Sequence, residues 1–332
     1  MKSHATYHQA GVSSVTSPTP SFAMLAGPSL RLLVPLLLAC SAAGQEAPVD
    51  MWSYSSPGSW GRVFPFCSAP LHLQSPIALT VDRVVLMPPL KVLADPGAHD
   101  WEVEVGNDGR RLEMNVTMDA RAHGATPTYP IQLVIDSAPL KGTYNLTMLH
   151  FHWGDRFGSP GSEHSAGDKF FDAEAHFVFF DASFPSLEAA QEVPGKVAVV
   201  AVLLNREGNF SGPMFPTFGL ETNMAELSMR DSHFSFRADL RQLQALLRVV
   251  LSRMFTYFGS LTTPPCTPGV VWMVSSVETD ISGTFLDCLA TQVFQDRFRL
   301  QPLVNNRRPL QQRANRVVFK QISLGADGLL AK

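Results

Sequence analysis

No run of about 18 apolar residues occurs in this 332-residue chain, so a membrane-spanning helix is not expected. A basic excess is missing too. With 26 Lys and Arg against 29 Asp and Glu, the formal charge of −3 leaves no electrostatic footprint for nucleic acid. There is no internal repeat, low-complexity linker or block of like charge to divide the chain. No apolar tail follows QISLGADGLLAK, which argues against the usual kind of lipid anchor. Helical periodicity is scarce, with DLRQLQALLRVVL (239–251) the best case and SLEAAQEV (186–193) a shorter one. Acidic residues are absent before Glu46.

That last absence frames the N-terminus. Arg31 precedes the apolar run 32–44, LLVPLLLACSAAG, which ends in small residues; this is the pattern of a secretory signal. Residues 1–44 are therefore read as a targeting region. Residues 1–23, rich in Ser, Thr and Pro, are either an extension upstream of a true start at Met24 or part of a compound leader. After cleavage the protein would be secreted or lumenal: extracellular, in a periplasm-like space or in an organelle. Cys67, Cys266 and Cys288 remain, an odd number that allows one internal disulfide at most. Sequons at Asn115, Asn145 and Asn209 are compatible with a glycoprotein.

What is present is strand. WEVEV, IQLVI, TMLHFHW, EAHFVFF, KVAVVAVLL and GVVWMV are rich in β-branched and aromatic residues and separated by Gly, Pro, Asn and Asp. The fold class is mixed but mainly β: a single domain on a large, mostly antiparallel twisted sheet with short peripheral helices.

Within TMLHFHW, His150 and His152 alternate on one strand face, about 6.5 Å apart at Cα, while Phe151 and Trp153 point into the opposite layer. By itself the pair leaves a metal site and two hydrogen-bonded structural histidines both open. In EAHFVFF, Glu174 and His176 repeat the alternation on what can be a neighbouring strand. Three imidazoles with an open fourth position make a catalytic zinc site, and a carboxylate beside the third can fix its tautomer.

These segments resemble the α-class carbonic anhydrases, from about Trp52 to Phe319. The likeness rests on WSY and SPGSW, QSPI (74–77), FHWG (151–154), SEH (162–164), EAH (174–176), SLTTPPC (260–266) and NNRRPLQ (305–311), in the family's order. It implies a carbonic anhydrase domain over 50–322 and a tail over 323–332. It implies Zn²⁺ on His150, His152 and His176, with Glu174 orienting His176. Thr262 would donate to Glu163 and so orient a zinc-bound hydroxide toward CO₂. His164, Tyr54 and Thr263 would belong to the polar surround, and Val178, Val199, Leu261 and Trp272 to the apolar wall where CO₂ rests. The reaction is reversible hydration of CO₂ to bicarbonate and a proton, open to sulfonamide and anion inhibitors. Zinc lowers the pKa of its water to about 7, carbonic anhydrase being itself the standard case. By the same resemblance Cys67 pairs with Cys266.

Two departures stand out. Met148 occupies a position where the family often has a glutamine bonded to the first histidine. In NDGRRLEM (107–114), Arg110 stands where fast members carry a proton-shuttling histidine, with Asp108 and Glu113 at positions usually filled by amides. An arginine does not give up its proton, so an enzyme without a histidine shuttle is expected. The alternatives are a non-catalytic carbonic anhydrase-like binding module, whose relatives typically lose a zinc histidine, and a matrix glycoprotein, which usually carries inserts absent here.

Overall fold

A computed structural model describes residues 51–68, 73–87, 90–116, 129–136, 141–208 and 212–323. Residues 1–50, which include the expected targeting region, lie outside the described residues, as do Asn209 and residues 324–332.

Fifteen strands are described: β1 (Ala78–Leu79), β2 (Arg83–Met87), β3 (Lys91–Ala94), β4 (Trp101–Asn107), β5 (Leu112–Asn115), β6 (Ile131–Ile135), β7 (Gly142–Trp153), β8 (Ser165–Ala166), β9 (Ala173–Asp181), β10 (Val197–Arg206), β11 (Ser232–Ala238), β12 (Arg253–Ser260), β13 (Pro268–Ser275), β14 (Thr279–Ile281) and β15 (Phe319–Ser323). Ten form one continuous path, β11-β4-β5-β7-β9-β10-β13-β12-β15-β2; β6 and β3 extend it from β7, and β14 from β10. The sheet is mixed rather than purely antiparallel: β10 runs parallel to β13 and β14, and β15 parallel to β2. The six strand segments read from the sequence all lie in strands, and the sheet is large and mainly antiparallel as expected.

Strand alternation sorts the core into two layers. Ala175, Phe177 and Phe179 of β9, Ala198, Val200 and Val202 of β10, and Val271 and Met273 of β13 join one apolar cluster with Phe151 and Trp153. Their neighbours Val178, Val199 and Trp272 join a second cluster on the other face. A residue's parity along its strand thus decides which layer it enters.

Helices are few. α1 (Leu187–Gln191) and α2 (Arg241–Val250) fall where periodicity placed them, α2 burying Leu243, Leu246, Leu247 and Val250 at the spacing of one helix face. α3 (Gly283–Gln292) was not foreseen. Its first residue is glycine and it contains two threonines, but Ser282 caps it by accepting from Phe285 N–H, and Phe285, Leu286 and Leu289 are buried. Among the described residues no helix is long and apolar enough to cross a membrane.

Asn145 is buried in β7, and its amide oxygen accepts from Gln132, so this sequon has no room for a glycan; Asn115 is exposed. Cys67 and Cys266 form a disulfide across 199 positions, while Cys288 is a buried free thiol pushed up in pKa by burial. The crosslink anchors the loop between β12 and β13. Just before that loop, at the end of β12, a β-carbon at position 259 would run into Ser75 Oγ and the Trp272 ring, so only glycine allows the close approach. Closing so long a loop constrains the unfolded chain by about 3–5 kcal/mol. Replacing Cys67 and Cys266 together by serine is expected to lower urea stability by that amount. A denaturation midpoint within error of wild type would contradict it.

Candidate metal centre

β7 and β9 pair with His150 opposite His176 and His152 opposite Glu174. The pleat and this register gather three rings, with centroids 5.2 Å apart for His150 and His152, 5.1 Å for His150 and His176, and 4.6 Å for His152 and His176. All three are buried, and one ring nitrogen of each lies within 4.8 Å of the others.

Hydrogen bonds fix two of the tautomers. His152 Nδ1 donates to the Asn306 carbonyl at 2.6 Å, and His176 Nε2 donates to Glu174 Oε1 at 2.7 Å. Both partners only accept, so each neutral imidazole turns its remaining lone pair inward. His152 Nε2 and His176 Nδ1 face one another at 3.2 Å. Two lone pairs at that distance repel unless a cation lies between them. Burial holds His152 below its ordinary pKa against the pull of Glu163, and burial with the charge of Arg111 holds His150 well below. The donor set is one of three buried imidazoles, two with a lone pair aimed inward, which fits Zn²⁺. His150 differs from the other two: its Nδ1 is buried without a partner. Met148, two residues earlier, packs against the apolar cluster and offers only a thioether.

Glu174 is fully buried and fully used. Oε1 accepts from His164 Nδ1 and His176 Nε2, both at 2.7 Å, and Oε2 from the backbone N–H groups of Glu163 and His164, both at 2.8 Å. Burial alone would raise its pKa, but the histidines and their N–H donors hold it well below the usual carboxylate range. His164 Nε2 then accepts from Tyr257 O–H at 2.7 Å, and that oxygen accepts from Ser75 Oγ at 2.9 Å.

Glu163 Oε1 accepts from Arg308 N–H at 2.7 Å. Its Oε2 is buried without a hydrogen-bond partner, 3.6 Å from His152 Nε2. The hydrogen bond from Thr262 is thus not made in this structure; Thr262 itself is buried in the adjacent loop. Thr263 is half-buried, its carbonyl accepting from Cys266 N–H. Tyr54 lies edge-on to His152 at 6.4 Å with its buried hydroxyl unpartnered. Beside the histidines, strand register lines up Met148, Val178, Val199 and Trp272 in one row across β7, β9, β10 and β13, and Leu261 packs on it.

Arg110 sits in the hairpin between β4 and β5, its guanidinium 4.1 Å over the Trp52 ring. Three further residues carry the site without having been singled out in the sequence. Asn306 gives its carbonyl to His152, its Oδ1 to Trp153 N–H, and its Nδ2 to the carbonyls of Arg110 and Phe151. Arg308, buried, donates to Gln74, to the Ser75 carbonyl and to the Cys67 carbonyl; burial draws its guanidinium down to about 10. Both lie in NNRRPLQ, a motif visible in the sequence without a role attached. Arg111 is the third. Its Nη2 meets Glu113 Oε2 at 2.6 Å, and Glu113 stands opposite His150. The signal was the spacing of two between Arg111 and Glu113, which on a strand shares the face of the histidines.

A family model described as eukaryotic-type carbonic anhydrase matches residues 55–322. The chain is 28% identical to human carbonic anhydrase 12 over 83% of its length and 75% of that protein. It is 33% identical to mouse carbonic anhydrase 15 over 74% of each. It is also 29% identical, over 81% of its length, to a segment making up 11% of the human receptor-type tyrosine-protein phosphatase zeta. With the family's pattern matched across most of the described fold and three histidines gathered on one sheet face, the chain belongs to the eukaryotic-type carbonic anhydrase family.

Proposed function

We propose that this protein catalyses the reversible hydration of CO₂ to bicarbonate and a proton, with Zn²⁺ held by His150, His152 and His176. The observation that carries the reading is the pair of inward lone pairs on His152 and His176, 3.2 Å apart, with the other nitrogen of each ring already bonded. Zinc held there supplies the Lewis acid that makes water nucleophilic at neutral pH, the general chemistry of carbonic anhydrases.

The chain's own residues do the rest. Glu174 orients His176 and Asn306 orients His152, so two ligands are aimed before the metal arrives. Glu163 Oε2, a buried acceptor with nothing bonded to it, is the fitting recipient for the Thr262 hydroxyl once the centre is filled. Thr262 would then have only its lone pairs to offer and would orient the attacking group by accepting from it. Tyr54, His164 and Thr263 belong to the surrounding polar network, His164 from behind Glu174. Val178, Val199, Leu261 and Trp272 offer CO₂ a surface that does not compete for hydrogen bonds. The Cys67–Cys266 disulfide supports an exported, secreted or lumenal protein. The similarity to part of a receptor phosphatase raises a second reading, a non-catalytic module, and against it stands the intact donor set.

The purified domain is expected to hold one zinc per chain and hydrate CO₂, with His176→Ala losing both. Absence of zinc, or full activity in that variant, would overturn the proposal. Met148→Gln, which gives His150 Nδ1 an acceptor, is expected to tighten zinc about 10-fold in chelator competition, the lower end of such effects. Unchanged affinity would mean that His150 is already anchored. Arg110→His is expected to raise kcat in dilute buffer and leave kcat/KM for CO₂ nearly unchanged, because a group of pKa about 6.5 can relay protons to buffer and a guanidinium cannot. Equal turnover of the two proteins in dilute buffer is the contrary result.

A further inference from the structure

The sheet face that carries the histidines also carries a cation outside the proposed ligand set. On β5 and the hairpin before it, Arg111, Glu113 and Asn115 alternate toward one face, and Glu113 and Asn115 pair with His150 and Met148 of β7. Arg111 therefore stands one pleat beyond Glu113, on the face of the metal row.

Two carboxylates hold this guanidinium without using all of it. Glu113 Oε2 takes Nη2 at 2.6 Å. Asp108 Oδ1 is occupied by the backbone N–H groups of Arg110 and Arg111, at 2.7 and 2.8 Å, and its Oδ2 stays 3.7 Å from Arg111 Nε. Nε is buried with no hydrogen-bond partner, although a guanidinium has five N–H donors. The side chain keeps 23% exposure. The Tyr54 hydroxyl, on a ring edge-on to His152, is buried and unpartnered as well. Two donor groups without acceptors, one of them a fixed cation, thus border a cluster of three buried imidazoles on the same side. Neither group is hydrogen-bonded to a neighbouring acceptor among the described residues, whereas a planar oxyanion presents several acceptors at once.

We propose that Arg111, fixed by Glu113 and Asp108 and assisted by Tyr54, forms a carboxylate-type oxyanion subsite beside the metal centre. The subsite deepens the carbonic anhydrase reading, on which its relevance to bicarbonate rests. It makes Arg111 a positioning residue for the anionic side of the reaction and a determinant of which anions the cavity retains.

The test is titration with [1-¹³C]acetate, followed by line broadening, on wild type, Arg111→Gln and Arg111→Lys, with bicarbonate as a second probe. Zinc content and melting temperature are measured on the same samples. Arg111→Gln is expected to weaken acetate about 10-fold, the scale of one charged hydrogen bond at a partly exposed site. Zinc content should hold, and Arg111→Lys should recover part of the loss by restoring charge without the fork. Acetate affinity unchanged in Arg111→Gln would overturn the subsite. So would a loss that Lys does not relieve, or one matched by lost zinc or a lowered melting temperature. Because acetate is read directly, a protein that binds acetate through Arg111 but holds no zinc would refute the enzymatic reading alone.

Discussion

A carboxylate taken out of water has to be matched by donors, and the buried Glu174 is matched four times over. Together the four fix three different things. One sets the tautomer of His176. One ties His164, and through it Tyr257 and Ser75, to the same oxygen. The two backbone donors hold the turn that presents Glu163. Removing the carboxylate would free all of these at once and strand several buried N–H groups, each costing about 1–3 kcal/mol. The centre is thus organised from behind, by a charge that never faces the cavity.

The sheet supplies the other constraint. Because successive residues alternate between faces, the same strands that contribute His150, His152 and His176 contribute Phe151, Trp153, Ala175 and Phe177 to the main core. The ligands are held by the packing of their sequence neighbours, which is stiff because large aromatic side chains there are almost wholly buried. Next along the sheet, the row from Met148 to Trp272 keeps an apolar strip one pleat from the histidines. Polar chemistry and a non-polar resting place can therefore adjoin without either intruding on the other.

Much of this was legible in the sequence because it is local. Runs of five to nine residues rich in β-branched and aromatic side chains mark β4, β6, β7, β9, β10 and β13, and helical spacing marks α2. The disulfide partner of Cys67 and the convergence of the histidines came with the family resemblance, since one sequence does not reveal which distant strands pair. What stayed hidden depends on distant or mixed signals. α3 begins with glycine and is held by a serine cap and tertiary burial. Arg111 resembles its neighbour Arg110 in the sequence, yet one packs on Trp52 and the other faces Glu113. That distinction arises from strand parity after a tight hairpin, which composition does not encode.

Asn306 carries a meaning for biosynthesis. His152 takes its acceptor from the carbonyl of residue 306, Glu163 takes an N–H from residue 308, and β15 pairs with β2, far earlier in the sequence. A ribosome delivers the two histidine strands well before these partners exist. The nascent chain can lay down β7 beside β9 early, but His152 waits for its tautomer and Glu163 for its donor until residues 306 and 308 have been made. Completion of the centre thus waits for a segment synthesised long after the last of the three histidines. A product ending before Asn306 would display all three histidines and still lack the carbonyl that aims His152.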